Sequence, residues 1–452
     1  MRWIAAGFLV LAGSGTALAA DCSDGFGTTI SDDKLTGSFI FTDANNLVSG
    51  GSNTTCTISA DMPLPAGSYG VYKVDTRGSV SLEAGETATY TVTYDGGVPQ
   101  GVVYDGEAFD DVTHTHYFGT GLVGTAGFTT DFDLAVDGDP ASEATTESVE
   151  VLAGYTTWDS QIASLESVST ARTGVVTSLN TTAGLVLGTN QRAERPTEIG
   201  LLGAVGSATV GGFAHVNLDG GFSLDAGITS FTQSIEDQTS SGIVLGGQAR
   251  YVTPDNGGGF RWLGSAGVNY APGLQMGFTR SYSDGSLAGT TTTGTASGSM
   301  VGIWLEGGVL VAPTPTDEII FSASLGRNWL TTEDYAETLG SDNLFALSAD
   351  DATSTYDSVK AKAAWTTQIT PDVDVTLHGA IGYLNANDDL TADVAFVDTM
   401  TVGGQSEAFV EYGARVGWSF AENARWDVFA LGSTGAETGT HAQIGTAVSM
   451  KF

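Results

Sequence analysis

The stretch His441-Ala442-Gln443-Ile444-Gly445-Thr446-Ala447-Val448-Ser449-Met450-Lys451-Phe452 decides the fold. Ile444, Val448, Met450 and Phe452 fall on one face; Gln443, Ser449 and Lys451 fall on the other. Successive side chains of an extended strand point to opposite sides, so this alternation reads as a strand with one apolar and one polar face. The pattern recurs upstream. In Ala408–Phe420, Val410, Tyr412, Ala414, Val416, Trp418 and Phe420 oppose Glu411, Arg415 and Ser419. In Val359–Ile369, Ala361, Ala363, Trp365 and Ile369 oppose Lys360, Lys362, Thr366 and Gln368. In Ile243–Tyr251, Leu245, Ala249 and Tyr251 oppose Gln248 and Arg250. A transmembrane barrel needs this arrangement, with lipid outside and a polar lumen inside. Closure also removes unpaired strand edges, which hydrocarbon cannot solvate.

The connections supply a second test. Twelve candidate strands lie between Ile199 and Phe452. Five short connections, Asp219–Gly221, Thr253–Gly258, Pro313–Thr316, Thr370–Asp372 and Ala421–Asn423, alternate with longer polar ones. The longer ones are Ser234–Ser241, Ser283–Gly298, Glu333–Thr353, Asn385–Gly404 and Thr434–Gly439. Only the junction near Ser207–Thr209 fits neither class. Short periplasmic turns and long outer loops are the habit of outer-membrane barrels. Pro254, Pro313, Pro315 and Pro371 fall in the short turns, where a missing N–H breaks no ladder. The even count brings both barrel ends to the periplasmic side.

Composition agrees. Among 452 residues, Lys and Arg number 16 against 52 Asp and Glu, a net charge of -36 that excludes a nucleic-acid partner. The 41% hydrophobic and 15% charged fractions exclude a disordered acidic chain. Beyond the N-terminus no apolar run approaches the roughly 20 residues of a membrane helix. Residues 1–19 read as a signal peptide for the general secretory translocon: Arg2 is the basic start, Ile4–Leu11 the apolar core and Ala17-Leu18-Ala19 the cleavage site. Asp21 before Cys22 does not fit a lipoprotein site. Cys22 and Cys56 are the two cysteines of an exported chain. They form either two free thiols or a disulfide, which is expected here and contributes about 3–4 kcal/mol in the chain-entropy model.

Thr156–Leu187 reads as a helix. Thr156 and Asp159 match a capping box; Ile162, Leu165, Val168, Val175, Val176 and Leu179 recur mostly three and four apart; Gly188 is a suitable stop. About 30 residues span about 45 Å, more than the apolar thickness of about 25 Å. The remaining positions are too polar for lipid, which leaves a place inside the lumen or a surface linker.

Export signal, N-terminal region, small-residue helix, twelve strands and terminal Phe452 together resemble an autotransporter of the type V secretion class. Ser324-Leu325-Gly326-Arg327-Asn328-Trp329-Leu330 and Arg280-Ser281-Tyr282-Ser283-Asp284-Gly285 also resemble phrases of that family's barrel. The resemblance covers residues 156–452. It implies a helix in the lumen, insertion into outer-membrane lipid by the β-barrel assembly machinery, and an N-terminal passenger carried to the cell surface. Val448, Met450 and Phe452 would then form the assembly signal. Some family members cleave themselves at an asparagine of this helix. Asn180 is the only candidate, and its flanks depart from the double-Asn pattern, so a retained passenger is expected.

Residues 20–155 depart from the long repetitive passengers of the family. They show no internal repeat. Gly78–Tyr94 alternates around Gly85 like a hairpin of immunoglobulin-like surface domains, and Ser38–Phe41, Gly70–Val74 and Phe132–Val136 are further strand candidates. A small β-sandwich is expected. Three basic residues (Lys34, Lys73, Arg77) stand against 21 acidic ones, a charge of -18. This serves solubility in salt or attracts a cationic partner.

An enzyme is not expected. No Gly-x-Ser-x-Gly elbow occurs, and only His114 and His116 of the five histidines lie in the passenger. Their one-face spacing, with Asp110 and Asp111 nearby, lacks an evident complete ligand set, as do Asp131, Asp133, Asp137 and Asp139 around Gly138. No metal or cofactor is therefore assigned.

The expected architecture is an all-β membrane protein. A signal peptide (1–19) precedes a small acidic passenger (20–155), a lumenal helix and linker (156–196) and a 12-stranded antiparallel barrel (197–452). Lys360, Lys362, Glu411 and Arg415 should face the lumen. The expected function is translocation and surface anchoring of the small domain, for adhesion or another interaction with an unknown extracellular ligand. The alternative is a porin-like channel with a periplasmic N-terminal domain.

Overall fold

The computed structural model describes residues 26–452, apart from 42–46, 50–51, 96, 106–107, 124–125, 138–141, 189–195, 207, 236–237, 256–258, 286–288 and 436–438. The expected signal peptide, Cys22, Gly138 and Asp139 lie outside the described residues. Two compact units are distinguished. One runs to Trp158 and includes residues 283–289 and 339–345; the other holds the rest.

The N-terminal unit contains two antiparallel sheets. One orders the strands Phe26–Ile30, Thr36–Phe41, Glu143–Thr156, Tyr69–Ser81 and Ala108–Leu122. The other orders Ser52–Leu64, Ala126–Asp137, Thr87–Tyr94 and Gln100–Asp105. Phe39, Tyr72, Val74, Phe118 and Val149 of the first sheet pack with Ile58, Met62, Val92 and Phe128 of the second, as a sandwich requires. The expected Gly78–Tyr94 hairpin is not formed. Tyr69–Ser81 is taken on one side by Glu143–Thr156 and on the other by Ala108–Leu122, so the chain crosses at Gly85 (φ 90°) and Thr87–Tyr94 pairs in the opposite sheet. Alternation states which residues face the core and leaves the partner strand open.

The second unit is built on a closed antiparallel barrel of twelve strands, as expected. They are Glu198–Val205, Ala208–Asn217, Phe222–Ile235, Gln238–Val252, Phe260–Tyr282, Thr290–Thr314, Asp317–Thr332, Ala352–Thr370, Val373–Ala386, Glu407–Ala421, Ala424–Gly435 and Gly439–Lys451. The last pairs with the first, from Glu198↔Lys451 to Val205↔Ile444, and Phe452 N–H donates to the Thr197 carbonyl at 2.9 Å. The exterior is apolar: Leu201, Leu325, Ile381, Val410 and Val448 are all exposed. Water would not tolerate so large an apolar surface. Near the short turns, Phe222 with Tyr251, Phe260 with Trp262, and Trp418 with Phe420 and Trp426 form aromatic contacts. Outward aromatics at a barrel end match an interfacial girdle. An Ile381→Arg substitution on this face is expected to cost about 2–4 kcal/mol near the bilayer midplane, read from unfolding of the reconstituted barrel.

Four of the longer connections differ from expectation. Ser234–Ser241 is mostly strand, paired down to Ile235↔Gln238. Thr290–Gly298 is strand as well, paired with Leu274–Tyr282. These segments are polar on both faces, so they lack the apolar–polar contrast by which the membrane-spanning parts are read. The connections within Glu333–Thr353 and Asn385–Gly404 fold into a second, four-stranded sheet of Tyr335–Ala336, Leu347–Ala349, Leu390–Val394 and Asp398–Val402. Tyr335, Leu347, Leu390, Ala392, Val394, Met400 and Val402 are its buried residues.

Candidate functional site in the barrel lumen

The helix runs from Trp158 to Gly188. Thr156 ends a strand, so the Thr156–Asp159 pair does not frame the helix start. The helix lies inside the barrel and is buried on several sides. Leu165, Val168, Val175, Val176 and Leu179 are buried, and so are Gln161, Ser164, Arg172, Thr173 and Ser178. Thr173, Thr177 and Thr181 each donate to the carbonyl four residues back, at 3.3, 3.1 and 3.0 Å. A small-residue helix can therefore fill a lumen that a more strongly charged helix would not.

Barrel contacts descend along the helix. At the end bearing the long connections, Arg280 donates to Gln161 Oε1 at 2.7 Å and Arg172 donates to Thr332 Oγ1 at 2.9 Å. Thr173 donates to the Gln405 carbonyl at 2.9 Å. Lower down, Ser178 meets Gln233, and Asn269 donates to Asn180 Oδ1 at 3.1 Å. Near the other end, Leu185 packs with Leu202, Phe213 and Phe429. The chain thus enters at the long connections and points toward the short turns.

Beside the helix is a cavity of about 260 Å³. Lys360, Lys362, Glu411 and Arg415 line it, together with Asn180, Glu306 and His378. Lys360 Nζ donates to both oxygens of Glu411 at 2.7 and 2.9 Å, and Lys362 Nζ donates to Glu306 Oε2 at 2.7 Å. Arg415 belongs to a four-charge cluster. It donates to Asp374 at 2.9 Å and Asp427 at 3.0 Å, and Arg425 binds the same carboxylates at 2.7 and 3.0 Å. Sequence reading missed Asp374, Arg425 and Asp427. The inward spacing of Arg425 and Asp427 around outward Trp426 was the available signal. Val448, Met450 and Phe452 are exposed on the outer wall.

In the sandwich, Cys56 is buried and the described residues contain no free cysteine. Its proposed partner, Cys22, lies outside them. No group of three or more His, Cys, Asp or Glu side chains among the described residues is placed to hold a metal. Asp110 and Asp111 belong to the strand Ala108–Leu122, but their side chains lie outside the described ones. His114 and His116 sit 6.4 Å apart, ring to ring, with His114 hydrogen-bonded to Tyr104. Burial pushes both imidazoles below their ordinary pKa, and His116 is lowered further by His114. Protonation therefore favours the unfolded chain. The fold keeps this contribution above the ordinary value of about 6.5 and loses it as the pH falls from there toward the folded-state values. Thermal unfolding of the sandwich should shift several degrees lower from about pH 7.5 to 5, and His114→Gln with His116→Gln should flatten that dependence. Identical pH profiles for the two proteins would reject this.

A closed antiparallel barrel with an apolar exterior, an aromatic girdle and a charged interior is a transmembrane barrel of the outer-membrane type. No protein-family model matches the chain, and no curated protein matches it. Among solved structures it is similar to the translocator domain of autotransporter NalP from Neisseria meningitidis, with 12% identity, 62% of this chain and 97% of that one covered, and a TM-score of 0.45. It is similar to the beta domain of the Bordetella autotransporter BrkA, with 13% identity, 57% and 97% covered, and a TM-score of 0.36. It is also similar to the Pseudomonas putida toluene transporter TodX, with 11% identity, 56% and 88% covered, and a TM-score of 0.33. These likenesses concern architecture alone.

Proposed function

We propose that the barrel, residues 197–452, carries and anchors an N-terminal passenger, residues 20–155, at the cell surface. The single supporting observation is the helix, which fills the lumen and runs from the long connections toward the short turns. In this reading residues 1–19 direct export through the general secretory translocon. The β-barrel assembly machinery inserts the barrel, with Val448, Met450 and Phe452 as its signal. The helix and linker, 156–196, stay in the lumen, and Cys22 bonds Cys56. The sandwich then meets an extracellular ligand, as an adhesin would. A second reading, a channel with a periplasmic N-terminal domain, is favoured by the charged cavity beside the helix.

An epitope tag near Gly51-Ser52 separates the two. On intact bacteria it should be bound by antibody and removed by a large protease. A tag reached only after the outer membrane is breached would reject surface display and leave the channel reading.

A further inference from the structure

The side chains of Arg280 and Glu337 are both deeply buried, and their ion pair joins three parts of the barrel unit. Arg280 lies on the strand Phe260–Tyr282, is 1% exposed, and stacks over the Tyr282 ring at 4.5 Å. Its Nε and Nη2 donate to Glu337 at 3.1 and 2.6 Å, and its Nη1 donates to Gln161 Oε1 at 2.7 Å and to Ser164 Oγ at 3.4 Å on the helix. Glu337 in turn accepts from Thr292 of the barrel wall at 2.9 Å, from Tyr335 at 3.0 Å, and from the Leu347 N–H at 3.0 Å. Tyr335 and Leu347 belong to the four-stranded sheet of the long connections. That sheet continues into a second contact with the helix, where Ser169 and Thr173 donate to the carbonyls of Gly403 and Gln405 at 3.4 and 2.9 Å.

We infer that Arg280 and Glu337 are positioning residues that latch the four-stranded sheet over the lumen only when the helix has reached its final register. A buried guanidinium must have its donors satisfied, or desolvation disfavours the closed arrangement. Glu337 satisfies one edge of Arg280; Gln161 and Ser164 satisfy the other. A helix displaced by one turn would carry these partners about 5.4 Å away. The wall and the lid would then hold a buried cation that has lost two of its acceptors. Lid closure thereby reports that the helix is seated. This inference rests on the helix being the resident of the lumen, as proposed above.

The test uses the purified full-length chain in phosphatidylcholine bilayers with potassium chloride, alongside proteinase K digestion of the reconstituted protein. Wild type should rest closed, with residues 387–406 protected. Arg280→Met and Glu337→Gln should each raise the open-time fraction roughly tenfold. Gln161→Ala with Ser164→Ala leaves the ion pair intact, yet it should open the barrel and expose residues 387–406 to the protease. Heat-modifiable migration certifies a folded barrel, and if the charge variants fail to fold the helix variant decides. Folded helix variants that conduct no more than wild type, or open with the lid still protected, would overturn the coupling. A periplasmic tag combined with variants that open would reject surface display and leave the latch standing.

Discussion

Removal of residues 159–188 is expected to turn a nearly closed barrel into a steadily conducting one. An α-helix with its side chains is about 10–12 Å across, and a barrel of this strand number has little more room than that beside its inward side chains. The wall positions that the helix leaves are wettable. Gln233, Asn269, Arg280 and Thr332 are buried polar residues that contact it. Water and ions can replace these contacts, so the open lumen need not collapse or dewet. Current through the reconstituted variant should exceed that of the full chain by roughly tenfold or more. The variant should also be less heat-resistant, because Leu202, Phe213 and Phe429 lose Leu185 as a packing partner. A folded deletion variant that stays closed would mean that the loop sheet, not the helix, seals the lumen.

Arg415→Ala should cause the largest single-residue loss of barrel stability. Arg415 and Arg425 neutralise Asp374 and Asp427 in a cluster whose side chains are at most 6% exposed. Taking Arg415 away leaves two carboxylates, Asp374 and Asp427 on two different strands, with one cation between them. Breaking a buried pair in this way costs about 3–5 kcal/mol, because the orphaned charge is not rehydrated. Lys360→Ala provides the contrast. Lys360 and Glu411 are 21% and 18% exposed, so water can take over from the missing partner and the loss should be about 0–1 kcal/mol. The comparison is made by urea unfolding in lipid. Equal losses for the two variants would show that the four-charge cluster is as hydrated as the open lumen.

Much of the barrel was legible in the sequence for a physical reason. Lipid on one side and a wet lumen on the other impose a contrast on every second residue. That contrast is local, so it survives in a bare string: Val410 and Val416 against Glu411 and Arg415, Trp365 against Lys362. Where the strands leave the membrane, both faces meet water and the contrast vanishes. Thr290–Gly298 therefore reads as a loop although it is paired strand. The four-stranded sheet was hidden differently. Its strands are two to five residues long and come from two connections far apart in the chain. In the sandwich, the inward faces were readable while the crossover at Gly85 was not, because two sheets and one hairpin share a single period.

The sequence by itself determined the number of barrel strands, which side of each meets lipid, the charges turned inward, and a helix too polar for the bilayer yet long enough to cross it. All of these follow from periodicity and length, which act within one segment. Only the tertiary structure decided which charges meet. Arg280 finds Glu337 and Gln161, and Arg415 finds Asp374 and Asp427, across separations that carry no periodic signal. The helix's own place was also settled there. Thr177 and Thr181 bond to its own backbone, while Ser169, Thr173, Ser178 and Asn180 meet partners elsewhere in the barrel unit, contacts that exist only once the barrel has closed around it.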